Sequence, residues 1–321
     1  MQTQDSRPLV VTSVQCCVCE TDNADLIGKG EDFEYRTSSD TFSAMRCRSC
    51  GLVYLNPRPS VSEFERIYPP TYHAFSFSEA NFGLVHSVRS RLEARRLLSW
   101  CHGLRHDARL LDVGCGDGFH LGLLREFGKE TWTLSGIDID KRAVEMARKA
   151  GLRVHLGSIE EIDLPREEFD MAFMLMTIEH VEKPVEALER VRQLLRPGGR
   201  LVIVTDNTGT LDFKLFKGSY WGGYHFPRHW NLFNRNALKE LAEKAEFEVE
   251  DLATQVSPVN WVYSIHNALI DHAKSQWLAK RFTLKSTVTL SAFTVLDMVL
   301  QKFGKGALLR AILRKPLEID R

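Results

Sequence analysis

The chain has 321 residues, and its 42 Lys and Arg residues are balanced by 42 Asp and Glu residues. This length predicts one large domain and a small one. Because proteins that bind nucleic acid usually carry a basic excess, the balance argues against nucleic acid as the partner. The N-terminus has no basic-then-apolar leader, and no apolar run reaches the about 20 residues of a spanning helix. We therefore expect a cytoplasmic protein.

Two pairs of cysteines near the N-terminus have the spacing of metal-binding knuckles. Cys16 pairs with Cys19, and Cys47 pairs with Cys50. In a chain without an export signal, such pairs favour metal binding over disulfides. Four thiolates close a tetrahedron around zinc and leave no open position for catalysis, so the prediction is a structural zinc site. Cys17 could replace Cys16, but it would lie only two residues from Cys19, so we assign Cys16.

The segment around the knuckles resembles a zinc ribbon. Phe33–Arg36 and Thr41–Arg46 alternate like short strands. Leu52–Pro59 then leaves the ribbon as an extended arm that ends in proline. Residues 82–101 predict an amphipathic helix that leads to the next domain. The alternative is four unrelated buried cysteines.

A glycine-rich stretch at residues 110–118 is the centre of the sequence. An apolar run reaches Asp112, and glycines follow at Gly114, Gly116 and Gly118. This pattern predicts a buried strand that turns sharply into a helix, whose free N–H groups can hold an anionic group. The third glycine comes one residue earlier than in the dinucleotide fingerprint G-x-G-x-x-G, which favours a different cofactor. An ordinary strand–helix turn is the alternative.

Strands and helices alternate after this loop, which predicts a mostly parallel sheet with helices on both faces. The strand over residues 131–138 ends at Asp138, about 20 residues past the glycines, where an acid can accept both ribose hydroxyls. Asp140 is expected to cap the next helix. The other predicted strands are residues 152–156, 169–176, 201–205, 247–252 and 308–313.

Three motifs follow one another over residues 109–205: the glycine loop, the E-H-V-x-x-P stretch that starts at Glu179, and the R-P-G-G turn at residues 196–199. Their order resembles class I S-adenosylmethionine-dependent methyltransferases. The resemblance implies an α/β fold with a Rossmann-like, seven-stranded, mostly parallel sheet. Here a small N-terminal zinc ribbon and a C-terminal helical insertion are added to it.

The ribbon and its arm also resemble a subgroup of these enzymes in which the residues after the arm lie over the cofactor. Here those residues are 68–73, Phe75 and Phe77. Their aromatic faces would attract a sulfonium cation. Simple linker packing is the alternative.

The resemblance implies that S-adenosylmethionine is the cofactor and assigns ten positions to its site. Ser158 stands where the family often has an acid that meets the adenine amino group, so Glu160 is an alternative at this point. Ile159 could donate a backbone N–H to the ring. The full set is Asp112, Gly114, Cys115, Gly116, Gly118, Asp138, Ile139, Ser158, Ile159 and Met176.

Residues 220–233 pack aromatic residues, two histidines and an arginine into one loop. Loops at the carboxyl edge of a parallel sheet bind ligands in such folds. The loop resembles that of ribbon-bearing methyltransferases linked to glycan and lipid modification, and an aromatic brace is the alternative. His180, His229 and His225 are the candidates for a catalytic base. Arg228 could grip a phosphate or carboxylate of the acceptor.

Between the last two predicted strands lies a helical insertion, residues 259–305. Its apolar residues from Leu290 to Phe303 share one face, with Asp297 and Gln301 at its edge or beyond. A cap over the substrate, an interfacial membrane helix and extra core packing are three alternatives. The expected segments are a loose N-terminus (1–15), the zinc ribbon (16–56), an arm and helix over the cofactor (57–105), the methyltransferase core (106–258), the insertion (259–305), and the last core strand with a tail (306–321).

The predicted function is methyl transfer from S-adenosylmethionine to an oxygen, or a carbon, of a small molecule such as a sugar, a glycan or a lipid-linked acceptor. Peripheral membrane contact is part of this expectation through the insertion. The alternative is an RNA guanine methyltransferase, because one such family also joins a zinc ribbon to this fold. A cofactor-binding protein without turnover is a third class.

Overall fold

The computed structural model describes residues 7–69, 72, 79–271 and 276–317. The predictions for residues 1–6, 70, 71, 73–78 and 318–321, including His73, Phe75 and Phe77, lie outside the described residues. The strands are β1 (Val11–Thr12), β2 (Ala24–Gly30), β3 (Phe42–Cys47), β4 (Val53–Leu55), β5 (Arg58–Pro59), β6 (Arg109–Val113), β7 (Thr133–Asp138), β8 (Val154–Leu156), β9 (Phe169–Leu175), β10 (Leu195–Asp206), β11 (Asn231–Leu232), β12 (Glu248–Gln255) and β13 (Leu308–Arg314). The helices are α1 (Phe64–Ile67), α2 (Glu79–Trp100), α3 (Phe119–Phe127), α4 (Lys141–Lys149), α5 (Pro184–Leu194), α6 (Leu211–Phe216), α7 (Arg235–Lys244), α8 (Val259–Asp271), α9 (Gln276–Ala279) and α10 (Thr287–Lys302).

A seven-stranded sheet forms the centre of the molecule, in the order β12-β13-β10-β9-β6-β7-β8. The pairs from β10 to β8 are parallel, and β13 runs antiparallel to both of its neighbours. This confirms the predicted fold class. The R-P-G-G stretch lies inside β10, where the pairing with β9 shifts register between Leu195 and Arg200, rather than before the strand.

Helices cover both faces of this sheet, because successive side chains of a strand point to opposite faces. Met171 and Phe173 of β9 pack in a cluster with residues of α2 and α3. Ala172 and Met174 pack in another cluster with residues of α5 and α7. The run of apolar residues that predicted a central strand therefore fills two core layers.

The order of the strands places a crevice between β6 and β9. The chain builds β6, β7 and β8 toward one edge and then returns to add β9 and β10 on the other side of β6. Ligands of open α/β sheets bind at such a switch point, outside the carboxyl ends of the strands. The glycine loop follows β6, and the segment with Glu179 and His180 follows β9.

A second, four-stranded antiparallel sheet has the order β11-β4-β3-β2. Its edge strand is Ala24–Gly30, so the prediction of a strand at Phe33–Arg36 is wrong. This strand contains Gly28 and Gly30, and because glycine is rare in strands, the sequence pattern did not indicate a strand here. The glycines are needed because another segment approaches closely: a Cβ on Gly28 would lie 2.1 Å from the carbonyl oxygen of Lys217.

The other edge strand of this sheet, β11, comes from the aromatic loop. Asn231 pairs with Tyr54 and Leu232 with Val53. The Leu55 N–H also donates to the Trp230 carbonyl at 3.0 Å. The N-terminal segment and the aromatic loop that follows β10 thus share one sheet.

The insertion contains α8, α9 and α10, and α10 turns its acid inward. Asp297 is almost fully buried, and one carboxylate oxygen accepts the N–H groups of Ser257 (2.8 Å) and Ala307 (3.0 Å). Of the residues predicted to share an apolar face, Leu296 and Phe303 are exposed. Another part of that face packs inward, because Phe293 stacks on Trp261 of α8 with ring centroids 5.6 Å apart. Among the described residues, no helix combines the length and the apolar character needed to cross a bilayer.

The four predicted cysteines form one cluster. The sulfur atoms of Cys16, Cys19, Cys47 and Cys50 all lie within 4.8 Å of one another, and those of Cys16 and Cys50 are 3.6 Å apart. Tetrahedral zinc with bonds of about 2.3 Å would place sulfur atoms about 3.8 Å apart. The donor set and its spacing are consistent with a zinc site.

Cys17 does not join this cluster. Its thiol donates to Oδ1 of Asn231 at 3.4 Å, while the side-chain amide of Asn231 donates to the Val181 carbonyl at 2.9 Å. Cys17 therefore packs between the cysteine cluster and the segment that follows β9.

We predict that the purified protein contains about one zinc ion per chain, as a closed four-thiolate site requires. Cys16→Ser should lose the metal and lower the melting temperature, because structural zinc stabilises the fold that binds it. Cys17→Ser is the matched control and should keep the zinc. Metal analysis and thermal unfolding measure both effects. A folded protein without metal, or zinc loss only in Cys17→Ser, would contradict the assignment.

Candidate active site

Two glycines of the loop after β6 are required by the fold itself. Gly114 has φ +74°, and a Cβ there would lie 2.4 Å from Cγ2 of Thr177, in the segment after β9. Gly118 has φ +84°, and its Cβ would lie 2.3 Å from Cδ1 of Leu152. A side chain at either position would meet both backbone strain and a steric clash. The loops after β6 and β9 are therefore in close contact.

Gly116 differs from these two glycines. It has φ +55°, but a Cβ there would meet no atom within 4 Å, so the loop faces open space at this point. Its N–H donates to Oδ2 of Asp138 at 2.7 Å, and Oδ1 of Asp138 accepts the N–H of Asp140 at 2.8 Å. Burial raises the pKa of Asp138 despite these hydrogen bonds. The acid at the end of β7 thus holds the glycine loop.

Asp112 lies near the end of β6 with its carboxyl group buried. Neither carboxyl oxygen has a hydrogen-bond partner among the described residues. Burial, followed by the charge of Asp138, raises the pKa of Asp112 to about 8. Nδ1 of His120 is 4.0 Å away. Buried carboxyl groups are normally satisfied, so this one is suited to receive donor groups of a ligand.

The remaining predicted cofactor residues lie at the same edge of the sheet. Ile139, after β7, exposes about half of its surface, and Met176, after β9, is also exposed. Ser158 is half-buried in the segment after β8. The side chains of Cys115 and Ile159 are buried in the core, so only their backbones can face a ligand.

Three histidines from two separate segments meet beside these loops. His180 follows β9, while His225 and His229 belong to the aromatic loop. The ring centroids of His180 and His229 are 4.7 Å apart, and those of His225 and His229 are 4.9 Å apart. The structure therefore brings together the three candidate bases that the sequence predicted.

His229 is held in a defined orientation. Nδ1 lies 2.8 Å from the Gly223 carbonyl and 3.3 Å from Oδ2 of Asp206. Only a protonated Nδ1 can donate to a carbonyl, so the neutral ring keeps Nε2 as an acceptor. Burial, together with the other two histidines, lowers the pKa of His229 well below its usual value. The ring is therefore a neutral base at physiological pH.

His180 and His225 have different partners. Nδ1 of His180 lies 2.9 Å from the Tyr68 hydroxyl and 3.1 Å from the Arg228 carbonyl, and burial lowers the pKa of His180 to about 4. Nδ1 of His225 lies 2.8 Å from Oε1 of Glu34, which belongs to the N-terminal segment. Tyr68, predicted over the cofactor, thus packs on a histidine.

Arg228 does not grip the acceptor. Its guanidinium is fully buried and makes two hydrogen bonds, of 2.8 and 3.2 Å, with the carboxylate of Asp32. It also donates to the carbonyls of Ile67 (2.6 Å) and Phe226 (3.0 Å). Burial acts to raise the pKa of Asp32, but Arg228 outweighs it and the pKa is lowered. The predicted acceptor-binding role of Arg228 is therefore wrong, because its anion is Asp32.

The carboxyl groups of Glu179 and Asp206 lie next to the histidines. Glu179 is fully buried; Oε2 accepts from the Thr205 hydroxyl at 2.8 Å, and Oε1 has no partner among the described residues. Burial raises the pKa of Glu179 to about 8 and that of Asp206 to about 7. Ligand atoms of Glu179, His180 and His229 lie within 4.8 Å of one another, a donor set compatible with a divalent ion.

Sequence reasoning did not single out Asp32, Glu34 or Asp206. Asp206 ends β10 at the carboxyl edge of the sheet, so its position was a usable signal. Asp32 and Glu34 lie between the cysteine knuckles and belong to no motif, so no signal in the sequence marks them.

Comparison with known proteins identifies the family of the chain. A family model described as a methyltransferase domain matches residues 84–252, more than half of the chain. The chain belongs to this methyltransferase family. The matched region is an S-adenosylmethionine-dependent methyltransferase domain, and it contains the glycine loop, Asp138 and His180.

Relatives of this methyltransferase domain include proteins named as O-methyltransferases. The ubiquinone biosynthesis O-methyltransferase of Cereibacter sphaeroides is 30% identical over 169 residues, which are 49% of this chain and 67% of that protein. The malonyl-[acyl-carrier protein] O-methyltransferase of Serratia marcescens is 30% identical over 48% of this chain and 58% of that protein. The chain thus spans about two thirds or less of the length of these curated relatives.

The methyltransferase domain also resembles a solved structure over a larger share of the chain. Phosphoethanolamine N-methyltransferase 2 of Haemonchus contortus, in complex with S-adenosyl-L-methionine, aligns with a TM-score of 0.52 and 17% identity. The alignment covers 91% of this chain and 68% of that one. At this identity the similarity concerns the fold alone.

We predict that the free protein loses stability as the pH rises from about 6.5 to 8. The folded protein keeps protons on Asp112, Glu179 and Asp206 up to pH about 7–8, whereas the unfolded chain loses them near pH 4, so this stabilisation disappears as the pH rises through the folded pKa values. His180 and His229 have lowered pKa values, so their stabilisation is lost as the pH falls below about 6.5.

Melting temperatures across this range measure the effect. Glu179→Gln should flatten the decline between pH 6.5 and 8, by roughly 1 kcal/mol per pH unit. Glu145→Gln, an exposed change on α4, is the control and should leave the profile as it is. Stability that rises steadily up to pH 8 would show that the buried carboxyl groups are ionised.

Proposed function

We propose that the chain transfers the methyl group of S-adenosylmethionine to an oxygen of a small-molecule acceptor, such as a sugar, a glycan or a lipid-linked molecule. The observation that carries this proposal is the cluster of three histidines beside the glycine loop. The O-methyltransferase names of two relatives support an oxygen acceptor. A hydroxyl nucleophile needs a base, whereas many carbon and nitrogen nucleophiles do not.

The cofactor would lie along the carboxyl edge of β6, β7 and β9. Gly116 leaves open space for it, and Asp138, which already holds the loop, would accept its ribose hydroxyls. The partnerless carboxyl group of Asp112 would accept its donor groups. Ile139 and Met176 would cover the adenine, with Ser158 and the backbone of Ile159 at its edge. These residues fit a polar ligand with one apolar ring system.

When bound, the cofactor supplies an electrophilic methyl group on a sulfonium. The chain contributes position and protons. His229 is buried and His180 and His225 are half-buried, so the cluster would exclude much of the water and favour an in-line approach of the acceptor. We assign the base to His229: Nε2 takes the hydroxyl proton, and the Gly223 carbonyl and the Asp206 carboxyl group stabilise the imidazolium through Nδ1. His180 and His225 orient the acceptor from either side.

Glu34 would act as a positioning residue for His225. Its carboxylate lies 2.8 Å from Nδ1 and fixes the tautomer of a ring whose backbone has φ +41°. Since Glu34 comes from the segment between the cysteine knuckles, the N-terminal segment would help to set acceptor geometry without contacting the cofactor.

We predict that Gly116→Val and Asp138→Ala weaken cofactor binding. A valine at position 116 would fill the space proposed for the ligand, and loss of the Asp138 carboxyl group removes both the ribose acceptor and the support of the loop. Calorimetry should show a loss of at least about tenfold in affinity for each, which corresponds to one good hydrogen bond. Gly122→Ala in α3, which also faces open space, is the control and should bind normally. Unchanged affinity in both site variants would refute the placement.

We predict that His229→Ala lowers kcat by about 10²–10⁴-fold, as loss of a general base does, with little change in cofactor affinity. His180→Ala and His225→Ala should raise KM more than they lower kcat. The assay uses labelled cofactor with separated lipid, glycan, small-molecule and RNA extracts, with and without a chelator. His102→Ala, at an exposed histidine, is the control.

Because the pKa of His229 is lowered, the wild-type rate should stay level between pH 6 and 8. Normal kcat in His229→Ala would exclude it as the base. Activity that the chelator abolishes while the zinc content stays unchanged, and that added magnesium restores, would instead favour a divalent ion held by Glu179, His180 and His229. Labelling of the RNA fraction alone would overturn the small-molecule acceptor.

A further inference from the structure

The insertion presents a large apolar surface that nothing in the described part of the chain covers. We call it the α9–α10 surface. Trp277, Val288 and Phe303 each expose more than two thirds of their surface, and Val295 and Val299 about half or more. By their spacing, Val288, Val295, Val299 and Phe303 share one face of α10. Monomeric proteins scatter exposed apolar residues singly, and apolar patches on one face mark interaction sites.

The helix is fixed so that this surface cannot turn inward. On the opposite side of α10, Asp297 accepts backbone N–H groups at both ends of the insertion, from Ser257 and Ala307. Gln301 donates to the Thr254 carbonyl at 2.7 Å. Rotation of α10 would break these bonds and leave a buried carboxyl group without partners. The outward position of the valines is therefore part of the fold.

Positive charge surrounds the apolar side chains. Residues 276–305 contain five basic residues, and Asp297, the single acid, is buried. Lys302 falls seven residues after Val295 and three after Val299, on the same face of the helix. The guanidinium of Arg281 lies 4.3 Å from the ring centroid of Trp277. The five exposed basic residues are Lys280, Arg281, Lys285, Lys302 and Lys305. Because the chain as a whole has no net charge, these residues form a local excess of positive charge.

We propose that the α9–α10 surface docks the protein on an anionic lipid surface. An exposed apolar helix face with tryptophan, phenylalanine and flanking lysines matches the chemistry of the bilayer interface, where apolar side chains enter the acyl boundary and cations meet the headgroups. A second copy of the chain fits less well. An isologous dimer would face the same patch, so its cations would meet cations.

The insertion that carries the α9–α10 surface is hydrogen-bonded to the candidate active site through its first helix, α8. In α8, the hydroxyl of Ser264 accepts the N–H of Gly222 at 2.8 Å, just ahead of His225. The side-chain amide of Asn260 donates to Asp206 at 2.7 Å. Lipid contact would therefore bring the histidine loop toward a membrane-associated acceptor. The docking itself does not depend on the proposed methyl transfer.

The test is flotation of the full chain with vesicles of phosphatidylcholine alone or mixed with phosphatidylglycerol. The wild type should float with the mixed vesicles and much less with the neutral ones, and added salt should weaken binding. Neutralising Lys285, Lys302 and Lys305 to glutamine should weaken binding on the order of 100-fold. The triple change Val295→Ser, Val299→Ser and Phe303→Ser should abolish it.

Matched controls carry the same changes elsewhere. Leu92→Ser and Met146→Ser replace exposed apolar residues of α2 and α4, and Lys149→Gln replaces an exposed lysine. These should float like the wild type. All variants should keep the wild-type melting temperature and the wild-type affinity for S-adenosylmethionine, because the changed residues are exposed and lie outside the proposed cofactor site. This separates failure of docking from failure of the proposed function.

Three results would overturn the proposal. The first is a wild-type protein that floats with neither kind of vesicle. The second is flotation that the serine triple variant retains. The third is a concentration-dependent dimer in sedimentation that the serine variant abolishes while vesicle binding stays absent, which would assign the surface to a second copy of the chain.

Discussion

The ion pair between Arg228 and Asp32 is the contact on which the geometry of the histidine cluster depends. It joins the segment between the cysteine knuckles to the aromatic loop, and both side chains are buried. Such a pair is not a large net source of stability, but removal of one partner leaves a buried charge and costs about 3–5 kcal/mol. Because the Arg228 carbonyl also lies 3.1 Å from Nδ1 of His180, the pair fixes one of the three histidines through the backbone.

This contact connects the cysteine-containing segment structurally to the histidine cluster. A ribbon that was only appended to the core could be lost without effect on the site. Here its sheet includes β11 from the aromatic loop, and its turn supplies Asp32 and Glu34 to Arg228 and His225. A closed four-thiolate site has no open position for chemistry. Its influence on catalysis would therefore pass through the geometry of this turn.

Local patterns predicted the parts of the fold that local physics determines. The glycine loop, the alternating strands and the acid at the end of β7 all follow from backbone conformation and from the period of apolar residues. The pairs Arg228–Asp32 and His225–Glu34 are 196 and 191 residues apart, and no local pattern encodes such partners. For α10, periodicity grouped residues that the structure divides: Phe293 packs on Trp261, whereas Val299 and Phe303 are exposed on the side away from the buried Asp297.

Near the loops that follow β6 and β9, the pKa values of the buried acids and of the histidines are shifted in opposite directions. Both shifts have one cause. Burial penalises charge of either sign, so it raises the pKa values of Asp112, Glu179 and Asp206 and lowers those of His180 and His229. The free site is thus close to neutral, with protons on carboxyl groups and free-base imidazoles. A cationic ligand in this environment favours ionised carboxyl groups, because opposite charges attract strongly where water is excluded. Binding of a cation would therefore release protons from the acids while the histidines remain neutral. Under the proposed function, the free protein would keep its base without an ionised partner, and the negative charge that complements the cation would appear when the cation binds.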